Sequence, residues 1–451
     1  MIRIDVLPDD VLLEIFDFYM VLSRGYDKGG WQSLIHVCRR WRYLVFGSPR
    51  RLNLRLYCTP FTPTRDKLDV WPALPLVVAS RDTGLPSSYT DNIIAALEQS
   101  NRVCDVSLES LKDWQLEDIL ALMQVPFLEL TELCLSSRHG TPPVIPDSFL
   151  GGSAPLLRNF YLDGIPFPGL PNLLLSATQL VTLYLFNIPD SGYISPEAMV
   201  ALLSVLSSLE RLSLESESPQ SRPVSECRSL PPIKRAILPA LSSLYFKGVS
   251  AYLEELVTHI DAPQLDVMGI TLFNQISTPR LAQFINRTSL RIGDKACLEF
   301  YNGYTRVEFL GVMSHYISIS CREPDRQLSS IAQVCNPLHS LSAVERLYIK
   351  EYGGIVLNND AVMKTLWLEL LLPFTAVKNL YLSRDLAPGI AATLKELVGG
   401  RIIEVLPSLQ NIYVEGLAGW GPLREDIGQF ITTRQLSDHP IAISDWDRFL
   451  W

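Results

Sequence analysis

The sequence predicts an α/β protein in which a small all-α module at the N-terminus is followed by an irregular repeat array, with parallel strands on one face and helices on the other. Three observations support this prediction: two amphipathic patterns in the first 47 residues, a phrase LxxLxL that recurs through the chain, and helix-like apolar patterns between its copies. With 451 residues and 47% apolar content, the chain can bury a substantial core.

The first amphipathic pattern lies in LPDDVLLEIF. Pro8 suits the first turn of a helix, where its missing N–H costs nothing. Asp9 and Asp10 would lie beside the positive end of the helix dipole. Apolar residues then recur at three- and four-residue spacing, which places them in one stripe: Val11, Leu12, Ile15, Phe16 and Tyr19.

A second apolar stripe of the same period follows a glycine-containing break and ends near Gly47 and Pro49. It is formed by Leu34, Val37, Cys38, Trp41 and Leu44. Two or three short helices bury too little surface to be stable alone, so we expect part of this apolar face to contact a partner.

Together these patterns resemble the F-box, whose motif runs LPxxVLxxIF, a variable turn, and then LxxVCRxWRxL. The acidic residue that often precedes the second half is replaced here by Trp31-Gln32-Ser33. F-boxes bind a Skp-type adaptor, which connects them to a cullin scaffold and a RING subunit in an SCF ubiquitin ligase. The alternative is that these helices are the first layer of a larger helical core. The resemblance implies an F-box in residues 1–47 and an adaptor-facing surface made of Leu7, Pro8, Leu12, Ile15, Phe16, Leu34, Val37, Cys38 and Trp41.

The recurring phrase LxxLxL is typical of a short strand, because alternate side chains of a strand point to the same side and enter the core. Between the copies lie helix-like patterns such as EAMVALLSVLSSL. The central apolar residues of the copies are 23 to 33 residues apart within each run, near the leucine-rich-repeat spacing: Leu133, Phe160, Leu183, Leu212, Leu244 and Met268, then Leu347, Leu380 and Ile412.

The repeats resemble the leucine-rich-repeat domains that follow many F-boxes. The asparagine ladder of regular members is missing here, so we expect an irregular array. Segments such as VWPALPLVV, WLELLLPFTAVKNLYL and HPIAISDWDR extend the resemblance over nearly the whole chain, to a large F-box family of mushroom-forming fungi.

The predicted domain order is an F-box in 1–47, a Pro-rich ordered connector in 48–95, the repeat array in 96–421 and a C-terminal cap in 422–451. PALPLVV in the connector could be one buried strand, and GPLREDIGQFITTRQL is typical of a terminal helix. Between 278 and 340 the phrase fades into three alternating segments, which are consistent with wider or degenerate repeats. The sequence does not determine how these three strands pair.

The fifth position of LxxLxL points away from the core and is tyrosine in six of the eight strong copies: Tyr161, Tyr184, Tyr245, Tyr348, Tyr381 and Tyr413. Adjacent strands lie roughly 4.8 Å apart, so tyrosines in register would form a partial ladder. One interpretation is a substrate-recognition surface, because tyrosine is common in interface anchors. The other is ordinary cross-strand stabilisation, and the two are compatible.

Composition and motifs exclude several classes of function. The net charge of −9 argues against nucleic-acid binding. The N-terminus lacks the features of a signal peptide and no apolar run is long enough to span a membrane, so we expect an intracellular protein, cytoplasmic and/or nuclear, that does not contact membranes. Arginines near residues 39–55 could form a nuclear signal or simply a solvated helix face. The cysteines are expected to be free thiols, several of them buried.

No metal, cofactor or catalytic residue is predicted, because the histidines lack ligand spacing and nucleotide and acyl-transfer motifs are missing. The leading hypothesis is a non-catalytic SCF substrate adaptor with an unknown protein substrate. The alternatives are a scaffold that binds the adaptor outside a ligase and, less favoured, an enzyme with an unrecognised site.

Overall fold

The computed structural model describes residues 7–22, 30–80, 90–137, 140–219, 235–273, 278–290, 293–311, 315–321, 323–353, 361–397, 403–416, 421–436 and 439–446. The chain divides into two compact units, Met1–Leu183 and Tyr184–Trp451.

The first unit begins with three helices, α1 (Asp9–Leu22), α2 (Gly30–Ile35) and α3 (Arg39–Gly47). The second apolar stripe of the sequence is therefore divided between two helices. The division occurs at Cys38, which adopts an extended conformation and caps α3 by accepting a hydrogen bond from the Trp41 N–H on its Sγ, at 3.5 Å. A residue with extended dihedrals at this position begins a new helix.

The rest of the first unit is a parallel sheet in which the strands pair in sequence order. Val78, Val106, Leu133 and Phe160 face one another on successive strands, and all four are buried. The strands are β1 (Leu56–Cys58), β2 (Leu76–Ser80), β3 (Val103–Leu108), β4 (Glu132–Ser136) and β5 (Asn159–Asp163). They are followed in turn by α4 (Thr64–Val70), α5 (Thr90–Leu97), α6 (Asp113–Leu122), a 3-10 helix (Phe149–Gly152) and α7 (Leu170–Leu174).

The parallel sheet starts within the Pro-rich segment that the sequence predicts as a connector. Both β1 and β2 belong to this segment. The buried strand predicted in PALPLVV is confirmed as β2, in which Leu76, Val77 and Val78 are buried. Segment 48–95 therefore contributes the first two strands of the array.

The second unit also alternates strands and helices, and strand β6 (Thr182–Ile188) contains the boundary residues Leu183 and Tyr184. Its strands are β7 (Arg211–Ser216), β8 (Ala236–Ile237), β9 (Ser243–Val249), β10 (Ile260–Asp261), β11 (Val267–Phe273), β12 (Lys295–Tyr301), β13 (Tyr304–Leu310), β14 (His315–Ser320), β15 (Arg346–Tyr352), β16 (Asn379–Leu382), β17 (Asn411–Glu415) and β18 (Ala442–Trp446). Its helices are α8 (Pro196–Leu203), α9 (Ser250–Thr258), α10 (Pro279–Ile285), α11 (Pro324–Cys335), α12 (Ala361–Leu371), α13 (Ala387–Lys395) and α14 (Gly421–Leu436), with 3-10 helices at Asp190–Gly192 and His339–Ala343.

Successive repeats are joined by the same backbone hydrogen bonds. The Glu345 carbonyl accepts from the N–H groups of Lys378 and Asn379, at 2.9 and 3.1 Å. One repeat later, the Lys378 carbonyl accepts from those of Gln410 and Asn411, both at 2.9 Å. Each repeat thereby fixes the start of the next strand, as expected when a repeat contacts only its neighbours.

The region where the phrase fades forms an antiparallel insertion. The sequence prediction of three strands is confirmed as β12, β13 and β14, but the hypothesis of degenerate repeats is wrong. The spatial order is β11-β14-β13-β12-β15, and β13 is antiparallel to both of its neighbours. β12 and β14 remain parallel to the array through β15 and β11.

Side-chain alternation in the strands separates a core face from an open face. In β9, Leu244 and Phe246 are buried, whereas Tyr245 and Lys247 are half-buried on the opposite side. Helix α9 packs on β9, as α5 does on β2. Each unit is therefore a leucine-rich-repeat-like array with strands on one side and helices on the other. The predicted terminal helix is α14, and the extension behind it adds strand β18.

Candidate functional site

Helix α1 carries apolar side chains on two of its sides. Leu12 and Phe16 lie on the buried side and are 0% exposed. The adjacent stripe is accessible: Val11 and Ile15 are each 41% exposed and Phe18 is 67% exposed. Positions 11, 15 and 18 follow helical spacing, so these side chains form one exposed apolar stripe. A soluble surface rarely keeps such a stripe without a partner for it.

The nine residues that the F-box resemblance assigns to the adaptor surface fall into two groups. Leu12, Phe16 and Leu34 are buried among the helices, so they stabilise the module and present little surface to a partner. Their assignment as contact residues is corrected in this respect, because a motif position can be apolar for the sake of the core. The others are exposed or partly exposed: Leu7, Pro8, Ile15, Val37, Cys38 and Trp41.

Trp41 connects these two groups. Its ring lies 4.6 Å from that of Phe16 between centroids, and its side chain is half-buried. One face of the ring therefore completes the helical core while the remainder is accessible. Val37 and Cys38, in the turn before α3, are exposed.

Polar contacts and an aromatic cluster hold the three helices in place. The guanidinium of Arg40 in α3 pairs with the Asp9 carboxylate at 2.5 Å and also donates to the Leu7 carbonyl at 2.6 Å. Trp31 is buried, and its ring contacts that of Trp71 in the Pro-rich segment at 5.3 Å. The helices are thus docked on the segment that carries β1 and β2.

The arginine-rich stretch that could form a nuclear signal is partly used by these contacts. Besides Arg40, Arg51 pairs with Glu14 at 2.5 Å, and Arg42 donates to the Ile35 carbonyl at 3.1 Å. The interpretation as a solvated helix face accounts for these contacts.

The six tyrosines predicted on the open face do not form one column. Tyr348, Tyr381 and Tyr413 are in register on adjacent strands, and their rings stack at 4.4 and 4.5 Å between centroids. Tyr161 instead faces Cys134, and Tyr245 faces Ser213 and Gly269. The Tyr184 ring contacts that of Phe186, with 5.6 Å between centroids.

Two members of the tyrosine stack are not accessible, although they lie on the open face as the sequence predicts. Tyr348 is 5% and Tyr381 is 7% exposed, because the Trp446 ring covers them at 6.1 and 5.5 Å between centroids. These side chains form a buried cluster with Cys297 on the open face, against which Leu310 and Tyr413 pack. Burial raises the pKa of Tyr381 to about 12 and that of the Cys297 thiol to about 12.

A second aromatic stack lies on the same face, outside the repeat phrase. The Tyr301 ring stacks between those of Tyr304 and Tyr352, at 4.2 and 4.8 Å between centroids. The Tyr301 hydroxyl donates to the Glu299 carboxylate at 3.2 Å. The sequence signal was the pair of tyrosines around Asn302-Gly303, but recognising the stack required the antiparallel pairing of β12 and β13.

Reactive groups are not concentrated at any of these surfaces. Burial raises the pKa of the Cys134 thiol to about 11 and that of Cys335 to about 12, which favours the unreactive thiol form. The seven cysteines in the described part of the chain are free. Within the same ranges, no group of three or more His, Cys, Asp or Glu side chains is placed to hold a metal ion.

None of the helices with described positions has the length and apolar character needed to cross a membrane.

No family model matches this chain, and neither does any curated protein. Among solved structures, the chain is similar to the leucine-rich repeat-containing protein LegL7 from Legionella pneumophila, with 13% identity and a TM-score of 0.27 over 84% of this chain and 97% of that one. The assignment of the fold rests on the strand registers and backbone hydrogen bonds of this chain.

Proposed function

We propose that this protein is a substrate-recognition subunit of an SCF-type ubiquitin ligase, in which the N-terminal helices bind a Skp-type adaptor and the open strand face binds a protein substrate. Leucine-rich-repeat-like arrays present extended surfaces suited to protein partners, so the fold supports a protein-interaction role. The ligase role is the further step, and it depends on the identity of the adaptor.

The observation that carries this proposal is the exposed apolar stripe on α1. Val11, Ile15 and Phe18 keep apolar atoms in solvent although the adjacent side of the same helix is buried. The F-box motif positions Ile15 and Val37 are both exposed, at 41% and 58%. An adaptor that covered them would remove this apolar surface from water, at roughly 25 cal/mol per Å².

In this role the protein would promote ubiquitination without a catalytic residue of its own. Holding a substrate near a charged conjugating enzyme raises the effective concentration of its lysines at the reacting centre. Such a subunit needs two binding surfaces and no acid, base or nucleophile. The non-catalytic assignment is part of the proposal.

The direct test is binding of the purified full-length chain to a Skp-type adaptor, measured by surface plasmon resonance. Ile15→Glu with Val37→Glu should weaken binding by about 30-fold or more, as expected for loss of interface anchors worth roughly 2 kcal/mol. Leu128→Glu is the matched control, because Leu128 is an apolar residue of the first unit that is 60% exposed outside the N-terminal helices. Unchanged binding by the double variant would reject the adaptor surface.

A second measurement distinguishes a ligase subunit from an adaptor-bound scaffold. If the proposal is correct, a cullin and a RING subunit co-purify with the adaptor and this chain. Recovery of the adaptor alone, from a preparation in which a known F-box protein brings down cullin, would favour the scaffold.

A further inference from the structure

Strand β18 pairs with β17 and buries the Trp446 side chain on the open face. Of its five residues, only Trp446 is buried, at 3% exposure, whereas Ala442, Ser444 and Asp445 are exposed and Ile443 is half-buried. The strand pairs in parallel with β17, where the Ala442 N–H donates to the Gln410 carbonyl at 2.8 Å. β18 is therefore an edge strand, and Trp446 is the buried side chain among its five residues.

Trp446 packs on the tyrosine stack. The Tyr348 and Tyr381 rings lie nearly parallel, at 12°, and the Trp446 ring meets them at 53° and 65°. Tilted and edge-to-face contacts of this kind are favourable between aromatic rings. Cys297 completes the buried cluster, and Leu310 packs against it. The Trp446 ring therefore packs on a surface made of the tyrosine rings and Cys297.

Within the described residues, the site that holds Trp446 offers no hydrogen-bond acceptor to the indole N–H. Trp446 Nε1 is buried and has no hydrogen-bond acceptor among the residues that the structure describes. A buried donor without an acceptor weakens attachment. Because the attachment of β18 is limited in this way, a competing segment could replace it.

We propose that the Tyr348–Tyr381–Tyr413 stack is a receptor for an aromatic side chain carried on an extended segment of a protein partner, and that Trp446 occupies it in cis in the free protein. The partner segment would replace β18 by adding as a parallel strand beside β17, a known mode of peptide recognition. This inference deepens the proposed substrate surface, and it rests on that function only in naming the partner a substrate.

Occupation in cis predicts how a competing peptide should behave. A tethered strand competes at high effective concentration. The apparent affinity for an external segment is therefore the intrinsic affinity multiplied by the fraction of molecules in which β18 is open. If that fraction is about 1–10%, removing the Trp446 side chain should raise the apparent affinity about 10- to 100-fold.

The test uses the full-length chain and a fluorescent peptide with the sequence HPIAISDW, corresponding to residues 439–446, followed by fluorescence anisotropy. The variant Trp446→Ala should bind this peptide at least about tenfold more tightly than the wild-type protein. A peptide with alanine in place of its tryptophan should not bind. Adding Tyr381→Ala to the Trp446→Ala variant should abolish binding, with circular dichroism used to verify the fold. Equal binding by wild type and Trp446→Ala, or binding that survives Tyr381→Ala, would overturn the inference.

Hydrogen exchange on the unmodified protein gives a result that does not depend on a variant. Amides of 442–446 should exchange at least about tenfold faster than those of 411–415 in β17, because β18 opens separately. Equal protection of the two strands would contradict a replaceable strand. A dimer that forms in the wild type and disappears in Trp446→Ala would place the tryptophan in a second copy and would also reject occupation in cis.

Adaptor binding measured on the same samples separates the two proposals. Peptide binding without adaptor binding would support the aromatic receptor and reject the ligase role. Adaptor binding without peptide binding would reject the receptor alone.

Discussion

The N-terminal helices and the tyrosine stack of the second unit differ in how far their aromatic and apolar side chains are exposed to solvent. On α1, Phe18 is 67% exposed and Ile15 is 41% exposed. On the open face of the second unit, Tyr348 and Tyr381 are at most 7% exposed because Trp446 of the same chain covers them. If both regions bind partners as proposed, the surface in the second unit is the one that already has an occupant.

This difference has a thermodynamic consequence. A partner of the N-terminal helices gains the full benefit of covering exposed apolar surface. A partner of the tyrosine stack must first displace β18, so its apparent binding free energy includes the cost of detaching that strand. The first surface should bind constitutively, and the second should be conditional.

The largest expected effect separates core from surface within α1. Phe16→Ala should lower the free energy of unfolding of the N-terminal helices by about 3–5 kcal/mol, because Phe16 is buried against the Trp41 ring. Its neighbour Ile15→Ala should cost within about 1 kcal/mol, since Ile15 is exposed. Urea denaturation, monitored by hydrogen exchange of the α1 amides, measures the stability loss of both variants. Similar losses in the two variants would contradict the assigned burial.

A smaller effect is expected where the open face is tightly packed. A Cβ on Gly269 would lie 2.6 Å from Tyr245 Cδ1 and 2.8 Å from Tyr316 Cζ. Gly269→Ala should therefore destabilise the second unit by about 1–3 kcal/mol, although alanine is ordinarily better than glycine in a strand. Thr271→Ala, on the same side of β11, is the control for thermal denaturation. A more stable Gly269→Ala protein would show that the two rings separate freely.

Alkaline titration measures the tyrosine pKa in the covered stack of the unmodified protein. Burial raises the pKa of Tyr381 to about 12, and the neighbouring Tyr348 and Tyr413 also raise it. The stabilisation linked to Tyr381 is fully present below pH 10, the ordinary tyrosine value, and is lost as the pH rises towards 12. The tyrosinate absorbance lost in Tyr381→Phe reports this group. The Trp446→Ala variant should titrate at lower pH, and a wild-type midpoint near 10 would contradict the burial.

The smallest expected effect concerns the ion pair that holds α1 against α3. Asp9 and Arg40 are 58% and 38% exposed in their side chains, so Asp9→Asn should cost at most about 1 kcal/mol and less at high salt. Arg40→Ala should cost more, because it also removes the hydrogen bond to the Leu7 carbonyl. Chemical denaturation at two salt concentrations checks this order. A larger loss for Asp9→Asn would mean that the pair is better shielded from solvent than its exposure indicates.

Local periodicity accounts for most of the elements that sequence reasoning predicted. Helical spacing predicts α1 and α14, and the alternation in LxxLxL predicts strands such as β9, because side-chain direction repeats every 3.6 or 2 residues. The same periodicity could not distinguish core from surface on α1. Leu12 and Ile15 belong to one apolar pattern in sequence, but only Leu12 is buried.

The sequence by itself determined the alternation of strands and helices and the direction in which the repeat tyrosines leave their strands. The tertiary structure decided the reversed order β14-β13-β12, which tyrosines stack, and the covering of that stack by Trp446. The physical reason is the range of the interactions. Strand direction and amphipathicity depend on residues a few positions apart, whereas strand order and burial depend on pairings between distant segments that local patterns do not encode.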